Sequence, residues 1–135
     1  MGSCSTCRDL DVLVTELRAE PRETEWLEFK EGNRSPTEIG EYISALSNAA
    51  AYCRKPFGYL VWGIEDASHG VVGTAFNPLD FKVGNQPLQL WLSRLVSPSL
   101  DFEFGEAFCE GKRVAVLKVP AARTTPVRFQ ADGAS

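Results

Sequence analysis

The chain has 135 residues, 44% of them hydrophobic and 24% charged, with a formal net charge of −4. Such a length suits one domain with a single ordinary core, and the composition is that of a folded globular chain rather than a fibrous or disordered one. The negative balance excludes attraction of the whole molecule to nucleic acid but leaves room for a local basic strip, because potential follows the distribution of charge as well as its sum.

Residues 1–20 read as a leader and a first helix. Met1–Thr6 fits the myristoylation pattern only loosely, and an unmodified start is the better reading. Cys4 and Cys7 form a CxxC with no second pair and no suitably spaced histidine, His69 being the only one, so neither zinc nor redox chemistry is expected. Thr6 can cap a helix with Asp9 near its start and Leu10, Leu13, Val14 and Leu17 as its buried stripe, ended by Pro21. No apolar run reaches about 18 residues and no basic-then-apolar start is present, so the expectation is a cytoplasmic chain without a membrane span.

Residues 25–30 alternate as a strand, with Leu27 and Phe29 on one face and Trp26, Glu28 and Lys30 on the other. Gly32 and Asn33 make a loop. Ser35-Pro-Thr-Glu38 is a capping box with proline at the first helical position, which predicts a helix over 36–53. Its stripe is Ile39, Tyr42, Ile43, Leu46, Ala49, Ala50 and Cys53, where a buried free thiol is expected. Asn48 lies beside the stripe, where a bond to a strand end is a better reading than a contact to phosphate.

A strand follows over 58–64, then a turn at Ser68-His69-Gly70 and a hairpin return over 70–74. Leu88, Trp91, Leu92 and Leu95 predict a helix over 86–96, stopped by Pro98. Strands over 100–108 and 113–119 are joined by the tight Glu110-Gly-Lys112, and a short strand is expected near 126–129. The architecture this implies is one α+β domain over 21–130, a mixed β-sheet flanked by helices, with a tail over 131–135.

Glu23, Glu28 and Asp66 mark the start, middle and end of the strands over 25–30 and 58–64. Placed side by side, these strands would gather three carboxylates around Lys30, a costly arrangement unless a cation or a partner's charge sits among them. Each also has a plain reading: Glu28 as the solvated partner of Lys30, Glu23 as a loop charge and Asp66 as a turn residue. The cations Lys30, Arg34, Arg54, Lys55, Lys112, Arg113, Lys118, Arg123 and Arg128 lie mostly in loops and the late hairpin. A strip of them could follow a phosphate backbone, with Trp26, Phe57 or Trp62 for stacking, or they could simply be solvated. No GxxxxGK[ST] loop occurs, so a phosphate cradle of the usual ATPase type is absent.

Read together, Glu23-x4-Glu28-Phe-Lys30, the helix end Ala45-Leu-Ser-Asn48-Ala, the strand Gly58-Tyr-Leu-Val-Trp-Gly-Ile-Glu-Asp66, Val72-Gly-Thr74 and the hairpin Gly111–Pro120 followed by Pro126-Val-Arg128 resemble the Schlafen/AlbA-type domain. That family is often described as DNA-binding and sometimes as divergent AAA. The resemblance covers roughly residues 20–129 and implies a mixed sheet flanked by helices and binding of DNA or RNA, in regulation or defence. Among the loop-borne cations, Arg34, Arg54, Lys55, Lys112, Arg113 and Arg128 are the candidates for phosphate contacts. In nuclease-active Schlafens a three-carboxylate site cleaves structured RNA with a divalent metal. Its positions fall on Glu23, Glu28 and Asp66, which would hold Mg²⁺ or Mn²⁺ while Lys30 holds the phosphate. Where relatives have a glycine pair after the asparagine helix, this chain has the bulkier Ala49–Gly58. Active Schlafens pair two such lobes, so a lone lobe is expected to form a homodimer; a non-catalytic protein-interaction domain is the remaining alternative.

Overall fold

The computed structural model describes residues 2–20, 24–32 and 35–130. Four strands form the main sheet in the order β1-β2-β7-β6. β1 (Leu27–Lys30) runs parallel to β2 (Phe57–Trp62), while β2 is antiparallel to β7 (Lys112–Pro120) and β7 to β6 (Glu103–Cys109). The sheet is therefore mixed, and the expected adjacency of the first two long strands holds, with Glu28 level with Leu60 and Lys30 level with Trp62.

α2 (Pro36–Tyr52) is the crossover that makes the parallel pair possible. The Ser35 hydroxyl accepts from the Glu38 amide and Pro36 opens the helix, as the capping box implies. Its buried stripe of Ile39, Ile43 and Leu46 meets Leu60, Trp62, Leu117, Val119 and Phe104 on one face of the sheet. Gly58 permits the close approach: a Cβ there would lie 2.7 Å from the Leu46 carbonyl oxygen. The opposite face carries Val61, Val114, Val116 and Ala107, covered by Val14 and Leu17 of α1 (Gly2–Arg18). α1 thus belongs to the packed body and begins earlier than a Thr6 cap would have it.

Where α1 ends, its C-terminal turn is pinned. The Arg18 guanidinium donates to the His69 carbonyl at 2.8 Å, and the His69 ring nitrogen Nδ1 lies 3.0 Å from the Arg18 carbonyl, so it is the protonated nitrogen that donates back. His69 also meets the Phe29 ring at 4.6 Å. The expected hairpin return over 70–74 is reduced to a single bridge between Ile64 and Val71.

α3 (Leu88–Leu95) closes the α2 side with Leu88 and Leu92 fully buried. Two small ribbons flank it. β3 (Lys82–Val83) and β4 (Gln86–Pro87) form one, turning at Gly84 with φ +62°; β5 (Val96–Ser97) and β8 (Arg128–Phe129) form the other. The last segment runs back along α2. Asn48 holds it as a peptide group would, its amide donating to the Val127 carbonyl at 3.0 Å and its oxygen accepting from the Val127 amide at 2.8 Å. The structural reading of Asn48 is the correct one. Cys53 caps α2 and is half-buried instead of fully enclosed.

Candidate nucleic-acid interface

Strand alternation sends Glu28 and Lys30 to the α2 side, because Leu27 and Phe29 belong to the α1-side core. There the Lys30 ammonium lies 3.4 Å from the Glu28 carboxylate and 5.3 Å from the centre of the Tyr42 ring. Tyr42 first, and then Glu28, hold this ammonium above its ordinary value against the opposing effect of burial. The plain reading of Glu28 as the partner of Lys30 describes what is seen.

Asp66 is exposed in the turn beyond β2, a turn tied to the α1 side through His69. Glu23 lies outside the described residues, and so does Arg34. Among the described residues no three His, Cys, Asp or Glu side chains are close enough to hold one metal ion. The described carboxylates therefore do not by themselves fit a Mg²⁺ or Mn²⁺ site.

The cations divide into two groups. Arg113 is engaged: its guanidinium pairs with Glu106 and donates to the carbonyls of Thr74 and Phe76, the latter at 2.6 Å. Lys112 donates to the Val71 carbonyl at 3.3 Å. Both sit where β7 begins, about 20 Å along the strand from Lys118 at the spacing of extended chain. Arg128 stands on β8 beside Phe129, whose ring fills the space above Gly40 near the start of α2. Lys112 and Arg113 are therefore carried away from Lys118 along β7, and Arg128 stands on a separate ribbon.

Arg54 and Lys55 follow the last turn of α2, where cations also complement the helix dipole. They share their end of the molecule with Lys118 and Arg123, because the end of β7 is bonded to the α2–β2 connection. The Ala121 amide donates to the Pro56 carbonyl at 3.0 Å, the Ala122 amide to the Ser47 carbonyl at 3.0 Å, and the Ser47 hydroxyl to the Pro120 carbonyl at 2.7 Å. Arg123 lines a shallow cleft with Asn48 and Ala51 of α2. Among the described residues, the ion pairs are Arg18–Glu110, Lys30–Glu28 and Arg113–Glu106, so Arg54, Lys55, Lys118 and Arg123 have no carboxylate partner there.

Aromatic rings are interleaved with these cations. Lys55 Nζ lies 5.0 Å from the centre of Trp26, and Lys118 Nζ lies 4.1 Å from that of Phe57. Tyr59 bridges the two rings, 6.3 Å from Trp26 and 6.4 Å from Phe57. Burial, and then the charge of Glu16, raise the Tyr59 hydroxyl above its ordinary value. Tyr52, the last residue of α2, is 84% exposed. Trp62, by contrast, is wholly buried against Phe76, which removes it as a stacking surface. Reading α2 by its apolar stripe passed over Tyr52; the available signal was an aromatic off that stripe and beside two cations.

A family model described as Schlafen, AlbA_2 matches residues 23–135. The chain belongs to the Schlafen, AlbA_2 family. Its fold is similar to that of the N-terminal domain of a RecG-related protein from Nitrosomonas europaea, with 22% identity and a TM-score of 0.56 over 91% of this chain and 81% of that one. It is also similar to the DIP2311 protein from Corynebacterium diphtheriae, with 20% identity and a TM-score of 0.50 over 93% of this chain; the match spans 24% of that protein's length. At such identities the likeness concerns the fold alone. No curated protein matches the chain significantly. Within this Schlafen, AlbA_2 domain, no helix among the described residues is long and apolar enough to cross a membrane.

Proposed function

We propose that this Schlafen, AlbA_2 domain binds nucleic acid through the phosphate backbone, using the basic end formed by Arg54, Lys55, Lys118 and Arg123. The observation that carries the reading is the gathering of four cations without carboxylate partners, among the described residues, on a chain whose net charge is −4. Unpaired cations held together keep their counterions free to exchange with phosphate, and release of those counterions drives association. Family membership supports the ligand class, and the same module would serve in regulation or defence. A copy related by two-fold symmetry would double the contacts and supply the second lobe.

The test is fluorescence anisotropy of labelled oligonucleotides over a range of salt. Affinity should fall steeply as salt rises, and Lys55→Gln with Lys118→Gln together should reduce the slope of log K against log salt by about two. Absence of binding at low salt would replace this reading with a protein-interaction domain.

A further inference from the structure

We infer that the ligand class at this end is single-stranded nucleic acid, with bases stacking on Tyr52 and Phe57 while Arg54, Lys55, Lys118 and Arg123 hold the phosphates. The inference rests on the backbone-binding reading and names its substrate. Tyr52-Cys-Arg-Lys-Pro-Phe57 alternates ring, two cations and ring across the α2–β2 connection, and Lys118 is brought to it by pairing opposite Tyr59. A phenol ring that is 84% exposed at the end of a helix contributes nothing to the core, so its face is free for a planar partner. The Phe57 ring is half-buried, and Lys118 lies over it. An ammonium resting on a ring can be exchanged for a base, moving the charge to the adjoining phosphate.

A duplex cannot use these faces. Its bases are already stacked, and only an unpaired strand presents them to a side chain. Electrostatics also sets a direction for the strand. Glu103 stands opposite Lys118 in the sheet and Glu16 bears on Tyr59, so the β6 side of this surface repels phosphate. The backbone is therefore expected to run past Arg54, Lys55 and Arg123 and to reach Lys118 from the side away from Glu103.

Tyr52→Ala provides the experiment, since this exposed side chain can be removed without opening the core. Oligothymidylate and oligouridylate of equal length are the single-stranded probes, and a duplex of that length is the control. The wild type should prefer the single strands. Tyr52→Ala should weaken their binding about tenfold with an unchanged salt slope, and Tyr52→Phe should restore it. Phe57→Leu, which keeps apolar bulk and removes the ring, should act in the same direction at an unchanged melting temperature. Wild-type preference for the duplex, or single-strand affinity unaltered in both Tyr52→Ala and Phe57→Leu, would overturn the inference. Backbone binding would survive either result if its salt dependence persisted, whereas no binding of any probe at low salt would end both.

Discussion

Three side chains show how position decides what a residue does. Asn48 sits mid-helix, where asparagine competes with the helix for hydrogen bonds, yet both ends of its amide are satisfied by Val127. Asn48→Ala leaves the Val127 amide and carbonyl without these partners and should destabilise the domain by about 1–3 kcal/mol in a denaturant titration. Glu28 shows the opposite case, a residue suited to chemistry whose neighbour is a lysine 3.4 Å away. With Asp66 in an exposed turn, Mn²⁺ is expected to leave the melting temperature unchanged. A rise that disappears in Glu28→Gln would instead show that Glu28 belongs to a metal site, and Mn²⁺-dependent RNA cleavage lost in the same variant would make the domain an enzyme. Gly58 is small because the Leu46 carbonyl stands where a side chain would go. Gly58→Ala should therefore push α2 from the sheet and lower the denaturation midpoint.

At the scale of elements, α2 is the member that organises the rest. One stripe of it closes the core, its start is fixed by Ser35 and Pro36, and its end delivers Tyr52, Arg54 and Lys55 to the surface. Leu46 is 3% exposed within that stripe, so Leu46→Ala should cost about 2–5 kcal/mol, read as a shift in denaturant midpoint without a change in slope. The capping box, the helical period and the alternation over 25–30 made these elements legible in advance, although Trp26, expected on the Glu28 face, is buried in the same cluster as Leu27 and Phe29. The ribbons were mostly not legible: a short strand near 126–129 was expected and β8 is there, but β3, β4 and β5 are two residues each, too short to show a period. The return after β2 shrank to one bridge because the turn at His69 is held by Arg18 and Phe29, contacts remote in sequence.

For the whole molecule, the sign of the net charge and the sign of its basic end differ. The charge of −4 should keep the domain soluble and weaken non-specific attraction, while the four cations act locally within about a Debye length of 8–10 Å. Charge reversal at Lys112 should consequently alter affinity far less than reversal at Lys55, a comparison that anisotropy at one low salt concentration makes directly. If two lobes cooperate on one strand, sedimentation should show a dimer that is favoured by oligonucleotide; a monomer at saturating oligonucleotide would assign the whole affinity to one basic end.

By itself the sequence determined the α+β class, the main helices and strands, the adjacency of β1 and β2, and the family, because these rest on local period, capping chemistry and an ordered set of motifs. Which cations belong together was decided only in three dimensions. Lys118 and Arg123 join Arg54 and Lys55 through antiparallel pairing and three hydrogen bonds across the end of the sheet, while Lys112 and Arg113, close to Lys118 in sequence, are carried to the far end of the same strand. Burial decided the aromatics in the same way. Trp62 and Tyr52 are both large rings near strand or helix ends, but one fills the space between α2 and the sheet and the other is 84% exposed, a difference set by packing partners that lie far away along the chain.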